Sequence, residues 1–384
     1  MDVMQYFNPV DFSMFSGKGN LWNYSFGQLV EKSTEKVTIS NLQNLDVVIT
    51  GAPFDNGSFN GKKTNVPDKI RSELYQLAGF QSKLNIADFG NLKEAKTQKA
   101  ILLALRDVIE YLNELGIVTV VLGGTQELSY GISQAFRSQR FYTLSCIDSA
   151  LDVKKGTESF NSSNFLSRIF KYQSNLFQFS LLAFQSQLVP AQLFCNIPGV
   201  GDHYRLGLLS DDISLAEPIL RNTDFLSFDL CSVKHSEAPG TYCLNPNGLR
   251  SEEACQLARY AGLSEKLRVF GLFGMNMLKD INEITIKLSA QIIWYFLEAQ
   301  TNKQNSTGNE SRNRIKYKVE VKDIDKPLVF LQSPETYRWW MEIQSFDGEN
   351  MLIACSEREY YKASENEIPE LWLKYVQKID EFSK

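Results

Sequence analysis

The chain of 384 residues is 43% hydrophobic and has a formal net charge of −5, so it can bury a large core and lacks the basic surface typical of a nucleic-acid-binding protein. Its first residues do not resemble a signal peptide, and no apolar stretch is long enough to span a bilayer. Six cysteines without C-x-x-C spacing predict free thiols in a reducing cytoplasm, and the two histidines, His203 and His235, are too few for a site that needs several imidazoles.

Strand-like and helix-like patterns alternate through residues 46–300, after a lead-in segment of residues 1–45. The apolar spacing from Gln98 to Leu115 predicts a helix that ends at Gly116, and residues 283–299 predict a strongly apolar helix. Short apolar runs predict buried strands at residues 46–51, 117–122, 141–147, 224–229 and 267–273. The alternation predicts a three-layer α/β/α domain with a mostly parallel sheet, whose chemistry lies where the strands end.

The character of the sequence changes after residue 300. Residues 301–314 are polar and predict a linker or exposed loop, and residues 315–384 predict a small C-terminal α+β appendage. The appendage carries residue types that dominate protein interfaces, and these are candidates for a partner-binding surface: Tyr337, Arg338, Trp339, Trp340 and Trp372. The alternative is that the tryptophans attach the appendage to the main domain.

Three aspartates follow predicted strands. Asp148 and Asp152 lie four residues apart after one strand, and Asp229 ends another. If the three carboxylates converge, their repulsion requires a bound cation, a nearby lysine or raised pKa values. The alternative is that these aspartates cap turns, which is the usual role of an aspartate after a strand.

Five motifs follow the predicted strands in order: Gly51–Gly57 with Pro67–Arg71, Gly123–Ser129, Cys146–Asp152, Ser227–Cys231 with Ala238–Thr241, and Asn247–Ala254. Together they resemble the motifs of the ureohydrolases, the family of arginase, agmatinase and formimidoylglutamase. The overall pattern is most similar to formimidoylglutamase-like members. The resemblance covers roughly residues 46–300 and implies the arginase/deacetylase-like fold, with the appendage outside it.

The resemblance also implies a binuclear manganese site made of two histidines and four aspartates, of which this chain keeps half. The residues that remain as possible ligands of a remnant site are Asp148, Asp152, Asp229 and Gln126, the last in place of the first histidine. The degenerate positions are Ala150 for the second histidine, Cys231 for the last aspartate and Lys234 for a further family aspartate. One metal position thus keeps oxygen ligands, and the other keeps only the two bridging aspartates.

These losses favour a catalytically degenerate, cytoplasmic protein that acts as a binding or assembly component. It would bind a protein partner or associate with itself, without nucleic acid and without membrane insertion. We expect no cofactor or a single divalent cation, manganese or magnesium, instead of the full binuclear site; the ammonium of Lys234 would then replace a metal.

Two alternatives remain open. One is a metal-dependent hydrolase of linear amidines such as formiminoglutamate, agmatine or arginine, with an altered and at most mononuclear site. In such a hydrolase, Cys231 would serve as the nucleophile or would bind zinc together with His235 and Asp229. The other is a small-molecule sensor that uses the old pocket.

Overall fold

The structure is a computed structural model that describes residues 1–10, 22–33, 41–55, 62–63, 65–81, 83–153, 159–197, 201–310, 313–344 and 350–382. Its strands are β1 (Phe7–Asn8), β2 (Val30–Lys32), β3 (Val47–Ala52), β4 (Phe54–Asp55), β5 (Lys62–Lys63), β6 (Ile86–Leu92), β7 (Val118–Gly123), β8 (Tyr142–Ile147), β9 (Leu176–Phe184), β10 (His203–Arg205), β11 (Phe225–Asp229), β12 (Val269–Phe273), β13 (Ile315–Val319), β14 (Leu328–Gln332), β15 (Trp339–Gln344) and β16 (Asn350–Cys355). Its α-helices are α1 (Val66–Leu74), α2 (Gln98–Glu114), α3 (Leu128–Gln134), α4 (Phe165–Tyr172), α5 (Leu206–Asp211), α6 (Ala216–Arg221), α7 (Ser251–Gly262), α8 (Ile284–Glu310), α9 (Glu357–Ser364) and α10 (Glu370–Phe382).

A large, mostly parallel sheet forms the centre of the molecule. In the described part of the chain its ten strands follow the order β1-β6-β3-β7-β12-β11-β8-β9-β10, with β2 beside β6. Only β1 runs antiparallel to its neighbour in this set. All five strands predicted from the sequence are present, and β6 and β9 were not predicted.

Helices cover both faces of this sheet, which confirms the predicted three-layer fold. Successive residues of a strand point to opposite faces, so Val47 and Ile49 of β3 pack in one core and Val48 packs in the other. The first core contains apolar residues of α1, α6, α7 and α8, and the second contains those of α2, α3 and α4. Because both faces are covered, the central strands are buried along their whole length and mostly apolar.

The two predicted helices form, but one of them is longer than expected. Helix α2 begins after Thr97, whose hydroxyl accepts a hydrogen bond from the backbone N–H of Ala100 (3.2 Å), and Gly116 follows its end at a φ of +76°. Helix α8 continues to Glu310, so the linker predicted for residues 301–314 is wrong over residues 301–310. Each residue added to an existing helix costs little compared with starting a new one, so a polar segment can continue a helix for about three turns without an apolar pattern. No helix in the described ranges has the length and apolarity needed to cross a membrane.

The C-terminal appendage is an antiparallel sheet, β13-β14-β15-β16, with α9 and α10. It lies near the amino-terminal ends of the central strands, where Phe177 of β9 belongs to the core of the appendage and its ring lies 5.5 Å from that of Tyr375. Asn222, just before β11, binds both backbone groups of Ala354: its Nδ2 donates to the carbonyl (2.8 Å), and its Oδ1 accepts from the N–H (2.9 Å). Lys374 adds an ion pair with Asp202 at 2.7 Å.

Candidate functional site

The carboxyl ends of the central strands meet at one edge of the sheet and enclose a small cavity. The register pairs Ile147 with Phe228 and Asp229 with Phe273, so β8, β11 and β12 end side by side. The cavity has a volume of about 150 Å³. Its lining residues are Thr125, Gln126, Asp148, Ser149, Ala150, Asp152, Ser162, Ser163, Asp229, Cys231, Tyr242, Cys243 and Gly274. The expected convergence of the three aspartates with Gln126, Ala150 and Cys231 is therefore present.

Two of the three aspartates also cap turns, as the alternative interpretation predicts. An Oδ1 atom of Asp148 accepts from the backbone N–H of Ala150 (3.1 Å), and Oδ1 of Asp229 accepts from that of Cys231 (2.7 Å). Burial is the largest cause that raises the pKa of Asp148 well above its usual value, and the negative charges of Asp152 and Asp229 add to it. Burial likewise raises the pKa of Asp229 to about 6, with partial compensation from the N–H of Cys231.

Gln126 is fully buried beside these carboxylates, at 1% exposure. Its Nε2 donates to the hydroxyl of Ser227 (3.2 Å), which also shares a hydrogen bond with Ser129 (2.8 Å). Its Oε1 has no hydrogen-bond partner among the described residues. A buried amide oxygen without a partner is costly, and it is the one feature of the cavity that favours a bound donor or cation.

Cys231 is joined to Cys243 by a disulfide bond, with the two Cα atoms 5.3 Å apart. The prediction that the cysteines are free thiols is wrong for this pair, because the loop after β11 returns to the cavity and brings together two cysteines that are 12 residues apart. A disulfide sulfur is neither a thiolate ligand nor a nucleophile. In the oxidised form, both proposed roles of Cys231, as a nucleophile and as a zinc ligand with His235, are excluded; His235 does not line the cavity.

Gly274, directly after β12, fixes the position of Asp229. Its φ is +87°, and a Cβ atom there would lie 2.1 Å from Oδ1 of Asp229. Its backbone N–H donates to the carbonyl of Gly124 (3.0 Å), which joins the ends of two neighbouring strands. A side chain at this position would displace the carboxylate, and no motif around Gly274 indicates this role.

Lys234 does not line the cavity, and its charge is not among the causes that shift the pKa of Asp148 or Asp229. Its backbone N–H donates to the carbonyl of Leu249 (3.0 Å), which directs the chain away from the strand ends. The geometry therefore gives no support to the hypothesis that its ammonium replaces a metal. The cavity residues that sequence reasoning missed, such as Tyr242 and Ser162, come from loops whose serines and tyrosines carry no distinctive spacing.

The donor set does not fit a pair of manganese ions. Ala150 offers no ligand atom and Cys231 is consumed by the disulfide, so only oxygen atoms remain. Within the described ranges, no group of three or more histidine, cysteine, aspartate or glutamate side chains is arranged to hold a metal ion. Asp148 and Asp229 each use one oxygen on a backbone N–H instead.

The aromatic residues proposed as a partner surface are divided between interior and surface. Trp339 and Trp340 are only 4% and 7% exposed, so the expectation that they form an open interface is not met. The carbonyl of Trp339 accepts from Nη2 of Arg221 (3.2 Å), and the guanidinium of Arg221 lies 4.8 Å from the ring of Trp340, so both attach the appendage to the domain. Trp372 is half-buried in the appendage, Arg338 forms an ion pair with Glu217 (3.3 Å), and Tyr337 is 74% exposed.

These features define the class of protein: a three-layer α/β fold with a parallel sheet and an acidic cavity at the carboxyl ends of its strands. More narrowly, the chain belongs to the arginase family, whose family model matches residues 45–298. The resemblance noted from the motifs is thereby confirmed.

Solved structures agree with this assignment at the level of fold. Formiminoglutamase of Trypanosoma cruzi with Mn²⁺ has a TM-score of 0.62 and 20% identity, covering 69% of this chain and 97% of that one. Formimidoylglutamase of Bacillus subtilis has a TM-score of 0.63 and 16% identity, covering 74% and 94%. Agmatine ureohydrolase of Thermoplasma volcanium has a TM-score of 0.60 and 18% identity, covering 70% and 94%. No curated protein sequence matches the chain.

Proposed function

We propose that this chain is a catalytically degenerate member of the arginase family that acts as a binding or assembly component. The observation that carries the proposal is the pairing of Cys231 with Cys243 at the edge of the acidic cavity, together with Ala150 beside it. The family resemblance places metal ligands at both positions. A disulfide sulfur and a methyl group cannot replace them, so the second metal position has no ligands of its own.

The chemical consequence is the loss of the activated water. The family resemblance implies that two manganese ions together produce a hydroxide at neutral pH, and the T. cruzi structure is one that contains Mn²⁺. A single hard cation with oxygen ligands lowers the pKa of a water molecule less, and the described part of the cavity has no imidazole to accept its proton. We therefore expect hydrolysis of linear amidines to be absent.

One observation favours the alternative, a hydrolase with at most one metal ion. The unpartnered Oε1 of Gln126 lies in the wall of the cavity with Asp148, Asp152 and Asp229, and these oxygen atoms would form a ligand set for one manganese or magnesium ion only after the side chains move closer together. Under this alternative, Gln126 is a ligand and its replacement by leucine abolishes metal binding. Under the degenerate interpretation, the same replacement removes the unpaired oxygen and the hydrogen bond to Ser227, so it changes stability but not metal content.

The test combines metal analysis with product release. The protein is equilibrated with excess manganese and dialysed, its metal content is measured, and urea or formamide release from arginine, agmatine and formiminoglutamate is followed. We expect substoichiometric metal and no turnover. Turnover on the order of 1–1000 s⁻¹ would overturn the proposal. One ion per chain with slow turnover that is lost in Gln126→Leu would establish the alternative.

A variant that restores the missing ligands provides the matched control. It combines Gln126→His, Ala150→His and Cys231→Asp with Cys243→Ser, which removes the unpaired cysteine. This variant should take up more manganese than the natural chain under identical conditions, which shows that the assay detects a functional site. The same variant with Asp148→Asn should lose the added metal.

Partner and location complete the proposal. We infer a protein partner or self-association from the retained fold. We also infer a cytoplasmic location, in which the Cys231–Cys243 disulfide has to resist the reducing thiols of that compartment. Light scattering of the purified chain measures self-association, and fractionation of cells that express it measures location. A monomer without a co-purifying protein would contradict the assembly role.

A further inference from the structure

A second cavity lies on the opposite side of the molecule from the acidic one, between the domain and the appendage. Its volume is about 50 Å³, which is several times the space that one water molecule needs. Four cationic side chains line it: Arg221 and Lys266 from the domain, and Arg314 and Arg338 from the appendage side. The docked appendage closes this cavity. A domain that ends at residue 298, where the family match ends, would therefore not contain it.

Two of these arginines are buried with donor atoms that lack hydrogen-bond partners. Arg221 is 6% exposed. Its Nη2 donates to the carbonyl of Trp339, and its Nε lies 2.7 Å from an oxygen of Glu217. Its Nη1 has no partner among the described residues. The side chain of Arg314 is 7% exposed and stacks on the ring of Trp340 at 3.8 Å. Its Nε has no described partner, and its Nη2 lies 3.5 Å from Glu265, too far for a good hydrogen bond.

The charges around this cavity do not balance. Three guanidiniums, those of Arg221, Arg314 and Arg338, face two carboxylates, Glu217 and Glu265. Burial lowers the pKa of Lys266, and the nearby carboxyl of Asp224 acts against that shift. A guanidinium remains charged in any protein environment, so burial cannot be relieved by loss of a proton. A buried, charged donor without an acceptor is costly, and the oxygens of an anion in the cavity are acceptors of the kind that Nη1 of Arg221 and Nε of Arg314 lack.

We propose that this cavity, named here the arginine cavity after Arg221, Arg314 and Arg338, binds a tetrahedral oxyanion of the phosphate class. The planar guanidinium groups match the geometry of phosphate oxygens, and Trp340 holds that of Arg314 in place. The proposal is independent of the proposed loss of catalysis, because the two cavities share no residue.

A larger neighbouring cavity indicates where the rest of a phosphorylated ligand would lie. Its volume is about 300 Å³, and it shares Lys266 and Leu352 with the arginine cavity. One part of its wall is aromatic, formed by Phe141, Phe177 and Tyr375, and the remainder includes the polar side chains of Thr143 and Asp224. The oxyanion is therefore either free phosphate or the phosphoryl group of a ligand with an apolar body, and the two sources are distinguished by experiment.

Calorimetric titration of the full chain at constant ionic strength tests the proposal with two probes, inorganic phosphate and phenyl phosphate. We expect saturable binding of both, and binding of phenyl phosphate at least tenfold tighter if the larger cavity is part of the site. Equal affinities would assign the site to free phosphate. No saturable binding of either probe up to about 10 mM, beyond the range of weak specific sites, would overturn the proposal.

Variants locate the site. Arg314→Gln removes a stacked guanidinium and should weaken phosphate binding at least tenfold. Lys316→Gln is the matched control, because Lys316 lies two residues further along the chain on β13, carries the same charge and does not line the arginine cavity; its side chain is 48% exposed and forms an ion pair with Glu342. Equal effects of the two would show that the binding is nonspecific. If Arg314→Gln fails to fold, Lys266→Gln tests the same cavity from the domain side.

Discussion

The clearest test of how the appendage is held is the replacement of Asn222 by alanine. Asn222 is 5% exposed and Ala354 is 3% exposed, and two hydrogen bonds of 2.8 and 2.9 Å join them. The alanine variant leaves the N–H and the carbonyl of Ala354 without partners. Each unpaired buried group costs about 1–3 kcal/mol, so we expect the free energy of unfolding of the appendage to fall by about 2–6 kcal/mol.

The assay is urea unfolding followed by tryptophan fluorescence, because Trp339, Trp340 and Trp372 all lie in the appendage. Limited proteolysis gives a second readout, since a loosened appendage is cleaved faster than a docked one. Asn44→Ala is the control: Asn44 is exposed and its loss should change stability by no more than about 0.5 kcal/mol. A change below about 1 kcal/mol in Asn222→Ala, with unaltered proteolysis, would refute the inference that this residue holds the appendage.

Three further predictions concern the acidic cavity and the sheet beside it. Thiol titration of the unfolded chain should find two more reactive cysteines with reductant than without it. The double variant Cys231→Ser, Cys243→Ser should lose about 3 kcal/mol of stability, measured by urea unfolding. Gly274→Ala should destabilise the fold by about 2 kcal/mol or more, because φ is +87° and the new Cβ meets the carboxylate of Asp229; an unchanged melting temperature would contradict this. Burial lowers the pKa of His203 from 6.5 to about 4, so between these two pH values the unfolded chain binds a proton and the folded chain does not. The free energy of unfolding should therefore decrease as the pH is lowered from 6.5 to 4. NMR titration should show an imidazole pKa near 4, and His203→Gln should lose that part of the pH dependence.

Much of the fold was predictable because buried parallel strands have a distinctive composition. Residues 117–122 are a β-branched apolar run with a glycine on either side, and they form β7 almost as predicted. The nine residues of β9 are equally buried, yet Gln178 and Ser180 interrupt their apolar run, so the apolar pattern does not predict this strand. Both polar side chains are buried in the folded chain, and Gln178 accepts a hydrogen bond from Tyr375 of the appendage (2.9 Å). The partner of the buried Gln178 thus lies about 200 residues away in the sequence, and a local sequence pattern cannot show such a contact.

Several residues that line the acidic cavity were predictable from the sequence, but the disulfide bond at its edge was not. The motifs placed Asp148, Asp229 and Gln126 at strand ends, and parallel topology then brought them together. The disulfide depends on the path of the loop between Cys231 and Cys243, and the spacing of the two cysteines carries no recognised signal. Likewise, the unpaired Nη1 of Arg221 could not be predicted, because its surroundings depend on how the appendage packs on the domain.

The bond between Asn222 and Ala354 also has a consequence for the colloidal behaviour of the protein. β16 is an outer strand of the appendage sheet, and Asn222 occupies the outward-facing N–H and carbonyl of Ala354. The opposite outer strand, β13, carries Lys316 and Lys318, whose charges discourage pairing with another chain. Release of the appendage would expose β16 as an unprotected edge. Detached molecules should therefore add to one another edge to edge and precipitate, so the interface that closes the arginine cavity also keeps the chain from aggregating.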